Sequence, residues 1–475
     1  MYDVSIIGAG ITGTAIAREL SRYQLKIAVF EKEADVGSGV SKANTGIIHA
    51  GVTAPPGTLM AGLNLAGAAL YERLARDMRV PFMKTGAFLV AFTPEEAKLV
   101  EGYFSYGKKA GIKDLRVLSG RSCRELEPGL NPAVVAALDI PATAVINPYQ
   151  MVIALAENAS ANGVQFFLNS KIARIDSDLS GFTIYRDAEK IRSRFVINAA
   201  GLYADEVARL IGNASFAIRP RKGEYFVLDR SEGPLTSRVI YPVPNPRTKG
   251  ILIAPTVEGN TLLGPNAAEV ADKNDLSTTS RGLAEVWEGA EKLYPHLPAG
   301  KIISQYAGLR PAVLEHDFII AWSKDQSCFM NVAGIQSPGL TSAPAIALLV
   351  RDKLSDAGLD LKEKPGFQGE RFARPFFRTL SEREQRTAWE KDPDLGEIVC
   401  RCESVSRGEI IGAIQSSSGG LSLDAVKRRT RAGQGRCQGS FCFLRILEIM
   451  QEISGRTWDQ FTKKGADSWL VRKKK

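Results

Sequence analysis

The stretch Asp3-Val4-Ser5-Ile6-Ile7-Gly8-Ala9-Gly10-Ile11-Thr12-Gly13, followed as far as Phe30-Glu31, decides the fold. Its first five residues form an apolar, β-branched run of strand length that stops at the glycines. Thr14 to Tyr23 reads as helix, with Ala15, Ile16, Leu20 and Tyr23 at helical spacing, and Lys26 to Phe30 as a second strand ending on Glu31. Strand, G-x-G-x-x-G, helix, strand, acidic residue is the order a dinucleotide site requires. Gly8 permits the tight turn, Gly10 lets the backbone approach a pyrophosphate, and Gly13 lets helix and strand pack closely. Ile11 and Thr12 share the loop, and the helix N-terminus offers N–H groups to the phosphates. Glu31, with Lys32 beside it, stands where ribose hydroxyls would bond.

Working outward, Ser41-Lys42-Ala43-Asn44-Thr45-Gly46-Ile47-Ile48-His49-Ala50-Gly51 follows the acidic residue with no helix between. Its small and polar residues suit backbone lying against a large flat ligand. Here the sequence resembles the FAD-dependent dehydrogenases of the D-amino-acid-oxidase-like superfamily. It is most similar to the glycerol-3-phosphate dehydrogenase and L-2-hydroxyglutarate dehydrogenase branch, whose members carry a similar S-x-x-N-[ST]-G-[VI]-I-H-[AS]-G segment. The resemblance implies FAD rather than NAD, with Ser41, Asn44, Thr45 and Gly46 as cofactor contacts.

At 475 residues the chain is too long for one core, and two or three domains are expected. Hydrophobic content of 44% and charged content of 24% describe an ordinary globular protein. The first strand begins at residue 3, which leaves no room for a leader sequence, and no apolar run reaches membrane-spanning length. A cytoplasmic protein is expected, with peripheral association at the inner face of a membrane left open. The net charge is +9, and residues 395–475 hold 15 Lys/Arg against 8 Asp/Glu, a net of +7. Nucleic acid is one partner for such a tail, but the cysteines in it explain it better, and no nucleic-acid partner is expected.

Further along, Leu63 to Met78 reads as an amphipathic helix, and Asn147-Pro148 opens a helix to about Asn162. Strands follow at Val164–Leu168, Ile172–Asp176 and Gly181–Arg186. Arg194 to Asn198, continuing into Ala199-Ala200-Gly201, reads as a buried parallel strand ending on small residues. In the resembled family this strand returns to the nucleotide sheet, so Ala200 and Gly201, like Ile172, become cofactor candidates. A strand end that needs small residues to turn explains the same pattern. Residues 216–305 are mostly strands, with one helix near Thr279–Leu293. Arg221-Lys222-Gly223-Glu224-Tyr225, the Tyr241 to Arg247 segment and Gly264-Pro265-Asn266-Ala267 resemble the family's substrate domain. Arg221, Lys222, Tyr241 and Arg247 are candidates to bind an anionic substrate, with surface salt-bridging the plainer reading of each charge. Tyr306-Ala307-Gly308-Leu309-Arg310-Pro311 precedes a strand at Phe318–Ala321. Asn331 to Ser342 runs into a helix at Ala343–Leu354, a Gly/Ser-rich entry that gathers N–H groups and positive dipole. The resemblance points this helix at the flavin, with Gly308, Gly339, Leu340 and Thr341 in contact. Residues 361–395 read as a linker.

Cys400-Arg-Cys402 and, 34 residues later, Cys437-Gln-Gly-Ser-Phe-Cys442 make C-x-C…C-x4-C. Thiolates paired at short spacing are metal ligands far more often than chance cysteines. Zinc suits four cysteines, yet neither pair is the usual C-x2-C knuckle. The spacing resembles the bacterioferritin-associated-ferredoxin-like domain, which implies a [2Fe–2S] cluster on Cys400, Cys402, Cys437 and Cys442. Lys427, Arg428, Arg429, Arg431 and Arg436 are close in sequence and would offset its negative charge. Cys123 and Cys328 read as buried structural residues.

The fold expected is α/β: a Rossmann-like FAD-binding domain (1–80, 145–215, 309–360) with an inserted mixed β-sheet substrate domain (81–144, 216–308). A small, mainly helical iron–sulfur domain (396–475) follows. Only one dinucleotide motif is present, so electrons leave the flavin by a route other than NAD(P). The resemblance implies oxidation of a CH–OH group in a small anionic substrate, first sn-glycerol 3-phosphate and second L-2-hydroxyglutarate. The electrons then pass to a partner protein or quinone. One departure stands against the first: Asn44-Thr45-Gly46 replaces the Ser-Ser-Lys of the better-studied glycerol-3-phosphate enzymes. An amine or imino-acid dehydrogenase is the third reading, and a flavin-bearing electron-transfer subunit without its own substrate the fourth. A basic pocket facing the flavin separates an enzyme from that subunit. His49 is the expected general base and Arg310 the anchor for the substrate's anionic end. His296 and His316 read as surface or structural.

Overall fold

The computed structural model describes residues 1–244, 250–373, 375–416, 418–419 and 421–471. An eight-stranded sheet carries the nucleotide loop. Tyr2–Ile7 lies parallel between Ile27–Phe30 and Glu189–Asn198, and Gln165–Phe167 extends the sheet beyond Ile27–Phe30. The far edge of Glu189–Asn198 is shared: its first residues pair antiparallel with Gly181–Arg186, its last parallel with Phe329–Ala333. Strands covered on both faces must be apolar throughout, and Val4, Ile6, Val29, Phe195 and Ile197 are fully buried. The helices Ile11–Leu20, Pro148–Ala161 and Gly339–Asp356 pack together over this sheet, and Leu59–Asp77 packs on the last of them.

The second sheet has nine strands and is mixed. Arg219–Leu228 and Ile302–Ala312 pair antiparallel over nearly their whole lengths, while Val239–Pro242 runs parallel to Ala87–Ala91. Helix Ser280–Leu293 covers one face, burying Val286, Ala290 and Leu293 among Phe88, Ile240 and Leu263. A three-stranded sheet of Ile47–Ile48, Phe82–Met83 and Ala144–Ile146 completes this part of the chain. The C-terminal domain is a short hairpin, Ile398–Cys400 with Val405–Ser406, and the helices Arg407–Ile414, Leu423–Thr430 and Phe443–Ser454. They enclose their own core of Val405, Ile410, Val426, Ile446, Ile449, Met450 and Phe461.

Four expectations need correction. The nucleotide helix begins at Ile11, not Thr14, so Gly13 sits inside its first turn. Helix Leu59–Asp77 starts earlier than Leu63 because the Thr58 side chain accepts the Ala61 N–H and caps it there. Strand Ile302–Ala312 continues past the expected boundary at 308, which places Arg310 in the substrate sheet. Residues 361–395 are not a free linker. Lys364 N–H donates to Arg22 O at 2.7 Å, Gln24 N–H to Lys362 O at 2.8 Å, and Arg371 Nε to Glu157 at 2.7 Å. The segment is a strap along the nucleotide domain, followed by a helix, Glu382–Lys391, with a Ser381/Glu384 capping box.

Candidate functional site

At the nucleotide end, two glycines are demanded by backbone geometry. Gly8 has φ +107°, and a Cβ there would meet the Ala199 carbonyl; a Cβ on Gly13 would run into the Gly8 carbonyl oxygen. Gly10 is the N-cap of the nucleotide helix and has no side chain to close its first turn. Ser41 Oγ accepts the Ile11 N–H at 2.9 Å, tying the Ser41–Gly51 segment to the helix start. The Glu31 carboxylate accepts N–H bonds from Ala9 (2.9 Å) and Glu33 (3.0 Å), so it also braces the loop. Burial pushes its pKa up against those two donors. Lys32 turns aside, paired with Glu33 at 2.5 Å and placed 4.5 Å from the Tyr203 ring centroid.

From this loop a cavity of about 410 Å³ runs to the substrate sheet, within the usual range for small-molecule sites. Gly10, Ile11 and Thr12 line one end; Ser41, Asn44, Thr45 and His49 line its flank. Gly201, Gly308, Arg310, Gly339 and Leu340 line the remainder. The Asn44 side chain holds its own turn, donating to Ser41 O at 2.9 Å and accepting from Gly46 N at 2.8 Å. Gly46 is buried against Ile146 O, with no room for a Cβ. Gly308 lies equally close to Ala43, which brings the substrate sheet onto this segment. Thr341 is behind the wall: its hydroxyl accepts the His49 N–H at 3.0 Å, while Asn64 Nδ2 donates to His49 O at 2.9 Å. Ala200 sits at the strand end beside Gly201, its N–H 3.4 Å from Asn198 Oδ1. Ile172 is different. It is packed in an apolar cluster with Ile175, Phe182 and Ile184 and is not part of the wall.

At the substrate end Arg221 and Arg310 are register partners on adjacent antiparallel strands, and both line the cavity. Gly223 makes room: a Cβ there would stand 2.8 Å from Arg310 Nη2. The Arg310 guanidinium also reaches Asn266 O at 3.3 and 3.4 Å. Tyr225 stacks on Tyr306 with centroids 4.6 Å apart, and Tyr306 OH donates to Asn44 O at 3.3 Å. Tyr241 lines the same cavity, and burial pushes its phenol pKa up. Lys222 points away. It is 4% exposed and ion-paired to Asp275 at 2.8 Å, as strand alternation demands of the neighbour of a cavity residue. It therefore leaves the candidate binding set. Arg247 lies outside the described residues. Tyr225 and His316 also line the cavity and were missed. Tyr225 was within reach of the sequence, since 221, 223 and 225 share one strand face; His316, at a turn with φ +55°, carried no such signal.

The glycine-lined loop, a helix start with no side chain on its N-cap residue Gly10, and the bracing carboxylate together fit the FAD expected from the sequence. The wall opposite is largely apolar and carries the guanidinium groups of Arg221 and Arg310, an arrangement that suits a small anionic substrate.

In the C-terminal domain the four thiols are free; Cys402 Sγ is 3.9 Å from Cys400 Sγ and 3.7 Å from Cys437 Sγ, and the Cys442 thiol is hydrogen-bonded to Cys400. Two thiolates on one tetrahedral metal, each about 2.3 Å from it, stand roughly 3.8 Å apart. Among the described residues no three potential ligands converge on a single-ion geometry; the thiols form a chain, Cys442–Cys400–Cys402–Cys437. The bond from Cys442, with N–H groups of Gly433 and Glu403, pulls the Cys400 thiol down to about 6 against its burial. Gly435 approaches Cys402 so closely that a Cβ would stand 2.5 Å from its sulfur. Four of the five basic residues expected to offset the cluster charge are otherwise engaged. Arg428 and Arg429 bind Asp35 of the nucleotide domain, Arg431 binds Glu403 at 2.7 Å, and Arg436 binds Asp229 at 3.3 Å. Cys123 is buried as expected, and Cys328 partly so.

The chain matches the FAD dependent oxidoreductase family over residues 3–353 and the BFD-like [2Fe–2S] binding domain over 398–452. It is 42% identical to a glycerol 3-phosphate dehydrogenase of Caloramator mitchellensis, covering 99% of this chain and 98% of that one. With the mitochondrial L-2-hydroxyglutarate dehydrogenase of Nematostella vectensis it shares 29% identity over 75% of this chain and 91% of that one. Its fold superposes on dithionite-reduced, FAD-bound L-α-glycerophosphate oxidase from Mycoplasma pneumoniae with a TM-score of 0.75. Identity there is 30%, over 79% of this chain and 99% of the other. No described helix is long and apolar enough to cross a membrane. The chain therefore belongs to the FAD-dependent oxidoreductase family, as a flavoenzyme similar to glycerol 3-phosphate dehydrogenases and carrying FAD and, at its C-terminal end, a BFD-like [2Fe–2S] domain.

Proposed function

We propose that the chain oxidises the secondary CH–OH of sn-glycerol 3-phosphate to the ketone of dihydroxyacetone phosphate and delivers the electrons to an external acceptor. The observation that carries this reading is the pair Arg221 and Arg310, brought side by side at the end of a cavity that begins at the nucleotide loop. A guanidinium presents a planar fork that matches phosphate oxygens, and Gly223 leaves the Arg310 fork unobstructed. The name of the Caloramator relative agrees with this choice.

When bound, FAD supplies hydride acceptance and the [2Fe–2S] cluster one-electron transfer. The protein's own part is positional and acid–base. Arg221 and Arg310 hold the anionic end, and Tyr241 and the Tyr225–Tyr306 stack close the site around the carbon chain. The substrate hydroxyl proton passes to an imidazole nitrogen of His49, whose backbone is clamped by Thr341 on one side and Asn64 on the other. That clamp fixes the base against the reacting carbon. The same two guanidinium groups also suit the two carboxylates of L-2-hydroxyglutarate, which keeps that compound as the second reading. Anaerobic mixing with glycerol 3-phosphate, L-2-hydroxyglutarate and a small imino acid, following the visible flavin absorbance, decides between them. Fast bleaching by glycerol 3-phosphate is expected; bleaching by one of the others alone would replace this assignment.

A further inference from the structure

We propose that the electrons leave on a small acidic protein carrying a one-electron centre, which docks over Phe441 and Leu444 beside the cluster ligands. The ligand loop Cys437–Cys442 holds its sulfurs inward, with Cys442 buried, yet turns Phe441 out to 88% exposure. Leu444, in the first turn of the helix that follows the loop, is 63% exposed. Two large apolar side chains in water within one turn of a metal-ligand loop are a small, well-placed contact surface. The rest of that helix has no apolar face to offer, because Ile446, Leu447, Ile449 and Met450 are buried in the domain's own core. Apart from Leu444, the exposed residues of that helix are polar: Arg445, paired with Glu397 and Glu448, then Glu448, Gln451 and Glu452, the last paired with Arg407.

The charge around the patch names the partner's sign. Arg401 lies between two ligand cysteines, Arg436 immediately before the third and Arg445 just beyond the fourth, and all three are exposed. Glu397, Glu448 and Asp229 answer two of them locally. Arg401, exposed between the ligand cysteines and in no ion pair among the described residues, leaves this face net positive at the cluster, which steers an acidic partner toward it. A membrane surface is the weaker occupant, since interfacial helices bury a wide apolar face, whereas here only two side chains are offered. The electron count is consistent. Oxidation of one CH–OH to C=O releases two electrons and two protons, so two carrier molecules are each reduced by one electron and the protons go to solvent.

The test uses the oxidised holoprotein without substrate, so its result is independent of which alcohol is oxidised. The probe is the soluble domain of cytochrome b5, an acidic haem protein, with the basic cytochrome c as control. Cytochrome b5 is expected to bind with a Kd that weakens as salt rises, and cytochrome c not to bind. The Phe441→Ser/Leu444→Ser double variant should weaken the Kd about tenfold or more, and Arg401→Glu should flatten the salt dependence. Cluster spectrum, FAD content and substrate-driven reduction of a small neutral dye should be unchanged in both variants. Equal binding by wild type and the double variant, or no binding of cytochrome b5, overturns the proposal. So does co-sedimentation of wild type, but not the double variant, with phosphatidylglycerol vesicles, which would make the membrane the occupant.

Discussion

Replacing Asp35 by Asn should release the cluster domain from the nucleotide domain while leaving both cores intact. Asp35 is 1% exposed, and its two oxygens accept from Arg429 Nη1 and Nη2, each at 2.8 Å, and from Arg428 Nη2. Gly419 makes this approach feasible, since a Cβ there would collide with Asp35 Oδ1. Asparagine keeps the shape but removes the charge, so two buried guanidinium groups lose their counter-ion. Breaking a buried ion pair from one side costs about 3–5 kcal/mol, which is on the order of a hundred- to a few-thousand-fold in the docking equilibrium at about 1.4 kcal/mol per decade. Tyr149–Gln434 at 2.9 Å and Ser416–Glu157 at 2.8 Å remain as weaker ties to the nucleotide domain. Hydrogen exchange should rise in peptides spanning 33–42 and 423–431 and stay low in the central strand Tyr2–Ile7. In stopped-flow, cluster reduction should lag further behind flavin reduction, whose own rate should hold. The pH dependence has a definite sign. Burial alone would raise the Asp35 carboxyl, but Arg429 and Arg428 hold it below its ordinary value. The docking energy is therefore fully present above about pH 4 and is lost as pH falls further. Asp35→Asn protein with wild-type exchange at the junction would refute this account.

Four further outcomes follow from the site. His49→Ala, with FAD content confirmed, should slow single-turnover flavin reduction by roughly 10²–10⁴-fold; a rate within about threefold of wild type would remove the base role. Arg310→Lys should raise KM for glycerol 3-phosphate by about tenfold or more with a smaller change in kcat, because an ammonium cannot reproduce the planar fork; an unchanged KM would place the phosphate elsewhere. Gly13→Ala should abolish FAD retention, since its Cβ falls on the Gly8 carbonyl and must push the nucleotide helix off the strand; normal FAD stoichiometry after purification would contradict that. Lys42 is held down to about 8 by burial and by Arg428, so between pH 8 and about 10.4 the unfolded chain binds the extra proton and stability rises with pH; Lys42→Met should raise Tm at pH 7 and erase that rise, and a lowered Tm would reverse the assignment.

The nucleotide loop and the four cysteines were legible because their chemistry is written in consecutive residues: turn glycines, an acid at the next strand end, thiols at fixed short spacing. Arg221 and Arg310 were legible as residues but not as a pair. They are joined by strand pairing across a long stretch of chain, and local pattern does not carry register. Lys222 failed for the opposite reason, since adjacent strand residues face opposite ways and only one can line a cavity. The basic cluster from Lys427 to Arg436 was read as serving the thiolates, whereas its partners Asp35 and Asp229 lie hundreds of residues away. The strap after residue 360 hid its order because it is held by single backbone bonds and ion pairs to the Ile11–Leu20 and Pro148–Ala161 helices, which leave no periodicity.

The cluster domain is tied to both of the other domains at once, and this determines what its junction does. On one side Asp35 and Tyr149 belong to the nucleotide domain. On the other, Arg230 of the substrate domain donates to Cys402 O at 3.4 Å and pairs with Glu403 at 3.3 Å, while Arg431 reaches Asn260 and Glu258. Buried ion pairs return little net stability once desolvation is counted, so a larger apolar contact would be the stronger way to hold two domains together. What charged networks enforce is register, because each misplaced group is left buried and unpaired. Here the register concerns Cys402 itself, whose carbonyl takes Arg230 and whose neighbour Glu403 takes Arg431 and Arg230. A shift of the domain along the junction would orphan several charges together, so the ligand loop stays fixed against Arg230, Glu258 and Asn260 of the substrate domain. The junction thus fixes where the four cysteines sit against the other two domains, and the first fifty residues, through Asp35, hold one side of it.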